Sequence, residues 1–390
     1  MKLALVFLSW MVCLVLTACG GGSTSTGSPM SAAALLGQDI FKDTRLSGSG
    51  RMSCATCHDP DLGHASPFDT PVALGGVNLD LPGLRLPPAI RYLRYNGAFS
   101  LAADGSASGG FFWDGRANSL AEQAGGPLLN DHEMANASVE DVVQKIASAP
   151  YAAKFKQVFG ADIFNDPQVA FDRVRHALAR YQQEDGDFAS FSSKFDAVNA
   201  GRAAFTAQEL RGLAWFSRAD KGNCAACHPS TRPDNAPAAL FTDFSYDSLG
   251  VPRNSAVARN SDATFFDLGL CGPVRTDLSA RTELCGAFKV PSLRNVALRK
   301  RFFHNGRFDN LRQAIQFYVT RDTQAQLWYP QDPLGNVDVY NDLPSLLRGN
   351  VNVTEAPYNR PRGQSAALND SEIDDMVAFL GTLTDGFFAP

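Results

Sequence analysis

The chain is short of excess charge, of histidine, of strand-like runs and of long apolar stretches, and each shortage excludes something. Lys and Arg number 35 against 40 Asp and Glu, a net charge of −5. That balance lacks the positive field that holds nucleic acid phosphates, so no nucleic-acid partner is expected. The one strongly apolar stretch, LALVFLSWMVCLVL beside the N-terminus, is shorter than the ~20 residues a membrane helix needs, and no permanent span is expected. Strand signals are weak and short, which argues against a sheet-based fold. Histidine occurs six times in 390 residues, so each one can be weighed separately as a ligand.

What is present begins with Lys2 and that apolar run, together the pattern of a secretory signal. The run ends at LTAC, Leu16 to Cys19, which resembles the bacterial lipobox. The resemblance implies cleavage before Cys19 and a lipid on its sulfur; a cut at a nearby small residue is the alternative. Residues 1–18 are thus expected to be a lipoprotein signal peptide and 19–31, with GGGSTSTGSP, a flexible tether. The folded part is expected outside the cytoplasmic membrane, in the periplasm, touching a membrane only through Cys19.

Eight cysteines occur. Four lie in CATCH (Cys54, Cys57, His58) and CAACH (Cys224, Cys227, His228), the attachment pattern of c-type haem. Two cysteines one helical turn apart reach the two vinyl groups of one porphyrin, and the next residue is held under the iron as its axial histidine. Zinc is the competing reading, but four-cysteine zinc sites need no histidine after each pair. Two covalent haems are expected. Cys271 and Cys285, left over in an oxidising compartment, are expected to pair as a disulfide, with two buried thiols as the alternative.

Helical signals dominate the rest. Ser138 with Asp141 opens VEDVVQKIASA, and Pro167 opens a periodic run to 183. Thr206 with Glu209 forms a capping box before the second motif. DNLRQAIQFYVTR and SEIDDMVAFLGTL supply late amphipathic helices, and 60–112 and 229–275 read as long loops. The two motifs stand 170 residues apart. This predicts a mainly α fold of two cytochrome c-like domains, each wrapped round one haem: 32–195, and 196–390 after a break in SSKFDAVNAGRAAF. His176 reads as an ordinary helix residue.

The segments LSGSGRMSCATCHDPDLG, FFWDGRANSLAEQAGGPLLNDHEM, KGNCAACHP, GVPRN, FKVPSLRNVALRKRFFHNGRFDNL and AFLGTLTDG, in this order, resemble the bacterial dihaem cytochrome c peroxidases and their MauG-type relatives. The resemblance implies a peroxide-reacting N-terminal haem and a C-terminal haem that receives electrons. It implies that Trp113 is an electron relay between them and Glu133 the acid over the peroxide, with Gln123 and Pro127 in the same pocket and His132 beside it. A buried aromatic anchor and a helix-cap acid are the plainer readings of Trp113 and Glu133. A glutamate suits the task, because breaking the peroxide bond needs a proton moved from the near oxygen to the leaving one.

Three departures follow from the same resemblance. Where activation-dependent peroxidases carry a removable histidine, TPVALGG offers Leu74, and His64 stands close to His58 for reaching the opposite haem face, so an open peroxide site is expected, with His64 as a sixth ligand the alternative. The ligand position of the C-terminal haem is matched to Phe303, which cannot bind iron. That haem is expected to be low in potential, five-coordinate, water-bound or capped by another residue, with His304 in a hydrogen-bonding role. Leu86 replaces an asparagine that helps hold an interdomain calcium, which leaves calcium open. Gly222 stands where MauG-type proteins have a tryptophan. The resulting expectation is a peroxidase reducing hydrogen peroxide with electrons from a small periplasmic cytochrome c or copper protein. MauG-like oxidation of a protein or organic substrate is the alternative and a pure electron carrier a third. The family's homodimer is not readable from the sequence.

Overall fold

A computed structural model describes residues 29–388. The signal peptide, Cys19 and nearly all of the tether lie outside the described residues.

The fold is helical with very little strand. Ser31 caps α1 (Ala32–Lys42), accepting the Ala34 N–H, and α2 (Cys54–Cys57) is the single turn of the first motif. α3 (Leu120–Leu129) carries Pro127 inside it. α4 (Val139–Ala147) starts on Ser138, whose hydroxyl accepts from the Asp141 N–H. α5 (Ala152–Phe159) leads to α6 (Pro167–Glu184), which has proline in its first turn and the Asp166 carboxylate taking the Gln168 and Val169 N–H groups. α7 (Lys194–Asn199) and α8 (Ala207–Ser217) both begin with capping boxes. α9 (Leu311–Thr320) and α10 (Asp370–Gly381) complete the set. The segment read as a break between domains is therefore ordered: Ser193 and Asp196 close a cap on each other there.

The long loops are not featureless. Residues 60–112 hold two two-residue ribbons, β1 (Leu74–Gly75) with β2 (Leu81–Pro82) and β3 (Ser100–Leu101) with β4 (Ala107–Ser108). β5 (Tyr246–Asp247) pairs antiparallel with β6 (Phe288–Lys289). Cys271 and Cys285 are joined by a disulfide.

Two separate apolar cores form. One is drawn from Leu36 to Phe188, the other from Phe195 to Leu383. Each is drawn tight by a glycine at a helix crossing. A β-carbon on Gly37 of α1 would stand 2.0 Å from the Ala177 carbonyl oxygen of α6. One on Gly212 of α8 would stand 2.1 Å from the Asp375 carbonyl oxygen of α10. Between the cores Arg294, fully buried, forks onto Asp196 with two 2.8 Å hydrogen bonds. Its guanidinium carbon lies 4.9 Å from the Tyr92 ring centre, so the pair ties both halves together. Among the described residues no helix is long and apolar enough to cross a membrane.

Since α8 and α10 touch at backbone distance, Gly212→Val must separate them. The expected cost is about 1–3 kcal/mol or more, read as a lower denaturant midpoint, with secondary structure retained.

Candidate active site

Both cysteine–histidine turns fold alike. The His58 N–H donates to the Cys54 carbonyl at 2.9 Å, and the His228 N–H to that of Cys224 at 2.8 Å. Burial is the main reason the thiols of Cys54, Cys57, Cys224 and Cys227 are each pushed up to about 12. Burial likewise pulls both histidines down to about 4, so each stays a neutral imidazole able to bind a metal. The Nδ1 of His228 lies 2.9 Å from the Phe241 carbonyl, which fixes its proton there and leaves Nε2 as the basic nitrogen. His58 is less tethered: its Nδ1 meets no partner at hydrogen-bond geometry, although the carbonyls of His64 and Pro88 lie toward it.

A cavity of about 190 Å³ opens on Cys224, Cys227 and His228 and reaches Trp113. Its lining is mainly apolar, and the paired thiols with a basic imidazole nitrogen suit a c-type haem. The second motif fits that group by cavity and donors. The first fits by its buried histidine, with an unpaired nitrogen, beside two thiols.

Glu133 belongs to the first motif's surroundings. Burial pushes its carboxyl above the ordinary glutamate value, against the pull of Arg116, the Asn130 amide and His132. Its charge in turn raises both Cys54 and Cys57, so the carboxyl and the motif act on each other. The Asn130 amide donates to its Oε1 at 2.8 Å. Gln123 lies on α3, partly buried. The exposed His132 has its Nδ1 2.8 Å from the Pro82 carbonyl and sits beside this pocket without joining it. The loop with Leu74 is pinned to this turn. The Gly76 N–H donates to the Glu133 carbonyl at 2.9 Å, and a β-carbon on Gly75 would stand 2.1 Å from the His132 carbonyl oxygen. The Leu74 side chain is 49% exposed. His64 is wholly buried against Phe188, its ring centre 4.1 Å away, and takes a 3.3 Å bond from Arg91.

Trp113 lies on the cavity wall, its indole N–H donating to the Leu86 carbonyl at 2.7 Å. The Lys289 backbone N–H donates to the Trp113 carbonyl at 2.9 Å. The next residue, Asp114, is fully buried and bound by Arg85 at 2.7 Å and Arg116 at 2.9 Å. Arg85 also forks onto Asp267. Among the described residues no cluster of three or more His, Cys, Asp or Glu could hold a metal ion, and the Arg85 guanidinium itself bridges the two acids.

Phe303 lines the cavity and packs its ring 5.5 Å from that of Tyr318. The sequence reading missed Tyr318. Its hydroxyl has no hydrogen-bond partner contributing to its acidity; burial, and then the charges of Asp247 and the motif thiols, raise it. A tyrosine oxygen is an iron donor, and Tyr318 lines the same cavity as Phe303. The signal was an internal repeat. FFWDGRANSL and FFHNGRFDNL, 191 residues apart, form the same turn. Phe112 and Phe303 both adopt left-handed backbones, φ +66° and +67°. Each turn is closed by a bridge, Phe111 to Ala117 and Phe302 to Phe308, and leads into α3 or α9. In that register Pro127 matches Tyr318. His304 also departs from expectation: its ring makes no hydrogen bond, with Nε2 unpaired 3.8 Å from Asp342, and stacks on Phe288 at 3.5 Å.

Gly75→Ala would force the Glu133 turn away from the loop. A loss of peroxide reactivity with near-native helix content is expected, measured by stopped-flow mixing and circular dichroism.

The family model described as di-haem cytochrome c peroxidase matches residues 31–204. The methylamine utilization protein MauG of Paracoccus denitrificans is 36% identical over 370 residues, 92% of this chain and 90% of that protein. Cytochrome c551 peroxidase of Nitrosomonas europaea is 32% identical over 290 residues, 72% of this chain and 71% of that one. The crystal structure of the diheme peroxidase BthA from Burkholderia thailandensis superposes with a TM-score of 0.83 at 40% identity, covering 92% of this chain and 87% of that chain. With two matching cysteine–histidine turns and an acid beside the first, the chain belongs to the di-haem cytochrome c peroxidase family, whose members carry two c-type haems, and is an oxidoreductase acting on peroxide.

Proposed function

We propose that the chain reduces hydrogen peroxide to water at the Cys54–His58 site, with electrons that enter through the Cys224–His228 site. Cys54, Cys57, Cys224 and Cys227 would hold the two haems by thioethers, with His58 and His228 as axial ligands. Residues 32–195 and 196–390 would each carry one. Export and a lipid at Cys19 would place the enzyme in the periplasm, within reach of a small cytochrome c or copper protein as donor.

When bound, a c-type haem supplies the redox-active iron that exchanges electrons with peroxide. The chain's residues handle the rest. Hydrogen peroxide takes two electrons and two protons to give two waters. Glu133 accepts a proton from the oxygen nearer the metal and returns it to the leaving oxygen. The observation that carries this reading is its carboxyl, pushed upward by burial while its charge acts on Cys54 and Cys57. A carboxyl raised toward the working pH is a stronger base than an ordinary one, and its acid form can still give the proton up to the leaving oxygen. Gln123 can hydrogen-bond the substrate but has no proton to transfer. Pro127, at the repeat position of Tyr318, offers no donor atom, consistent with an open first site. Tyr318 would be the donor facing the second haem, and Trp113 the relay between the sites.

The half-buried indole of Trp113 and the phenol of Tyr318 also favour a second reading, peroxide-driven oxidation of a protein or organic molecule. Turnover with reduced cytochrome c separates the two.

Stoichiometric peroxide added to the oxidised protein should shift the Soret band without prior reduction. A need for reduction first would refute the open site. Glu133→Gln should slow that shift by about 10²–10⁴-fold, and wild-type rates would remove Glu133 from the mechanism. Tyr318→Phe should change the absorption of the oxidised C-terminal haem while leaving peroxide binding at the first site intact. An unchanged spectrum would exclude Tyr318 as a donor.

A further inference from the structure

The cavity at Cys224 and His228 is walled in part by Arg299 and Lys289, neither of which forms an ion pair among the described residues, although Asp247 and Glu355 also line it. Arg299 donates to the carbonyls of Ser292 and, at 3.3 Å, Arg294, and its Nε has no partner. Burial alone pulls it down to about 10, and no carboxylate opposes that pull. It lines the cavity and is partly exposed. Lys289, also buried, donates its ammonium to the Gly109 carbonyl and lies 4.3 Å from the Tyr246 ring centre. Burial pulls it down to about 7, while Asp114 and Asp243 act on it only through space.

Other buried arginines of the chain are treated differently. Arg85 holds Asp267, Arg275 holds Asp277, Arg294 holds Asp196 and Arg321 holds Asp322. Charge taken out of water is paired or it is costly, and arginine does not escape by losing its proton. An anion held in the cavity would supply the partner that these two cations lack.

We propose that Arg299 and Lys289 form a receptor for carboxylates, namely the propionate side chains of the tetrapyrrole in the Cys224–His228 cavity. This rests on the dihaem reading above. Both residues stand on a wall that also bears Trp113, so the receptor sets the charge beside the relay as well as the seat of the cofactor. A cation next to the haem stabilises its reduced, less positive state. Loss of that cation lowers its potential.

A crystal structure of the haem-loaded protein tests this directly. A propionate oxygen within hydrogen-bond distance of the Arg299 guanidinium or the Lys289 ammonium is expected. Propionates turned away, with a free anion or another carboxylate on those groups, overturn the proposal. In solution, Arg299→Met should shift the midpoint of the C-terminal haem to lower potential and move the propionate bending bands in resonance Raman spectra. Arg299→Lys should stay near wild type. Wild-type potential and bands in Arg299→Met overturn the proposal, and where that variant does not assemble the crystal structure decides. Absence of two haems per chain in the wild type, by pyridine haemochrome assay, would instead refute the dihaem reading.

Discussion

The site depends on neutralising one carboxylate that water cannot reach. Asp114 has no exposed surface. Arg85 and Arg116 bind its side chain, and Arg275 donates to its backbone carbonyl at 2.9 Å. A buried ion pair stripped of one partner costs about 3–5 kcal/mol, so the geometry around Asp114 is stiff. Trp113 precedes it directly and is therefore held in place. Arg116, two residues on, is oriented by the same acid and supplies the positive charge that restrains the Glu133 carboxyl. Trp113 and the Glu133 carboxyl are thus both tied to a single ion cluster. Arg85 extends that cluster to Asp267 in the second half.

Electrostatics divides the two ends of the molecule. Around the first motif the titratable neighbour is an acid pushed upward by burial. Around the second the cavity is lined by the basic Lys289 and Arg299, the acids Asp247 and Glu355, and the phenols of Tyr318 and Tyr358.

Legibility followed locality. The cysteine–histidine turns were readable because their chemistry lies within five consecutive residues. The capping pairs Ser138–Asp141 and Thr206–Glu209 were readable for the same reason. The break expected in 192–205 holds a helix, α7, stabilised by a cap and by Phe195 entering the second core, which a polar, glycine-containing composition does not reveal. Tyr318 was hidden because, on an amphipathic helix, a tyrosine beside Phe317 reads as core. Only the repeat of the FFxxGR turn places it opposite Pro127. His304 was misjudged because its partner, Phe288, is brought to it by tertiary folding and stacks on the ring face, leaving the ring nitrogens unbonded.

The loop carrying Leu74 is gripped at both ends by glycines that leave no slack. Gly75 lies against the Glu133 turn. Gly306, in the second copy of the turn, lies so close to Pro71 that a β-carbon there would stand 2.4 Å from its carbonyl oxygen. Between these bearings the loop is a short strut, running from the turn under Phe303 and Tyr318 to the backbone beneath the proton carrier. Backbone in contact with backbone transmits displacement without loss, since no side chain between them can rotate to absorb it. The turns beside the two motifs thus share a mechanical connection, and it is made of the residues with the least chemistry of their own.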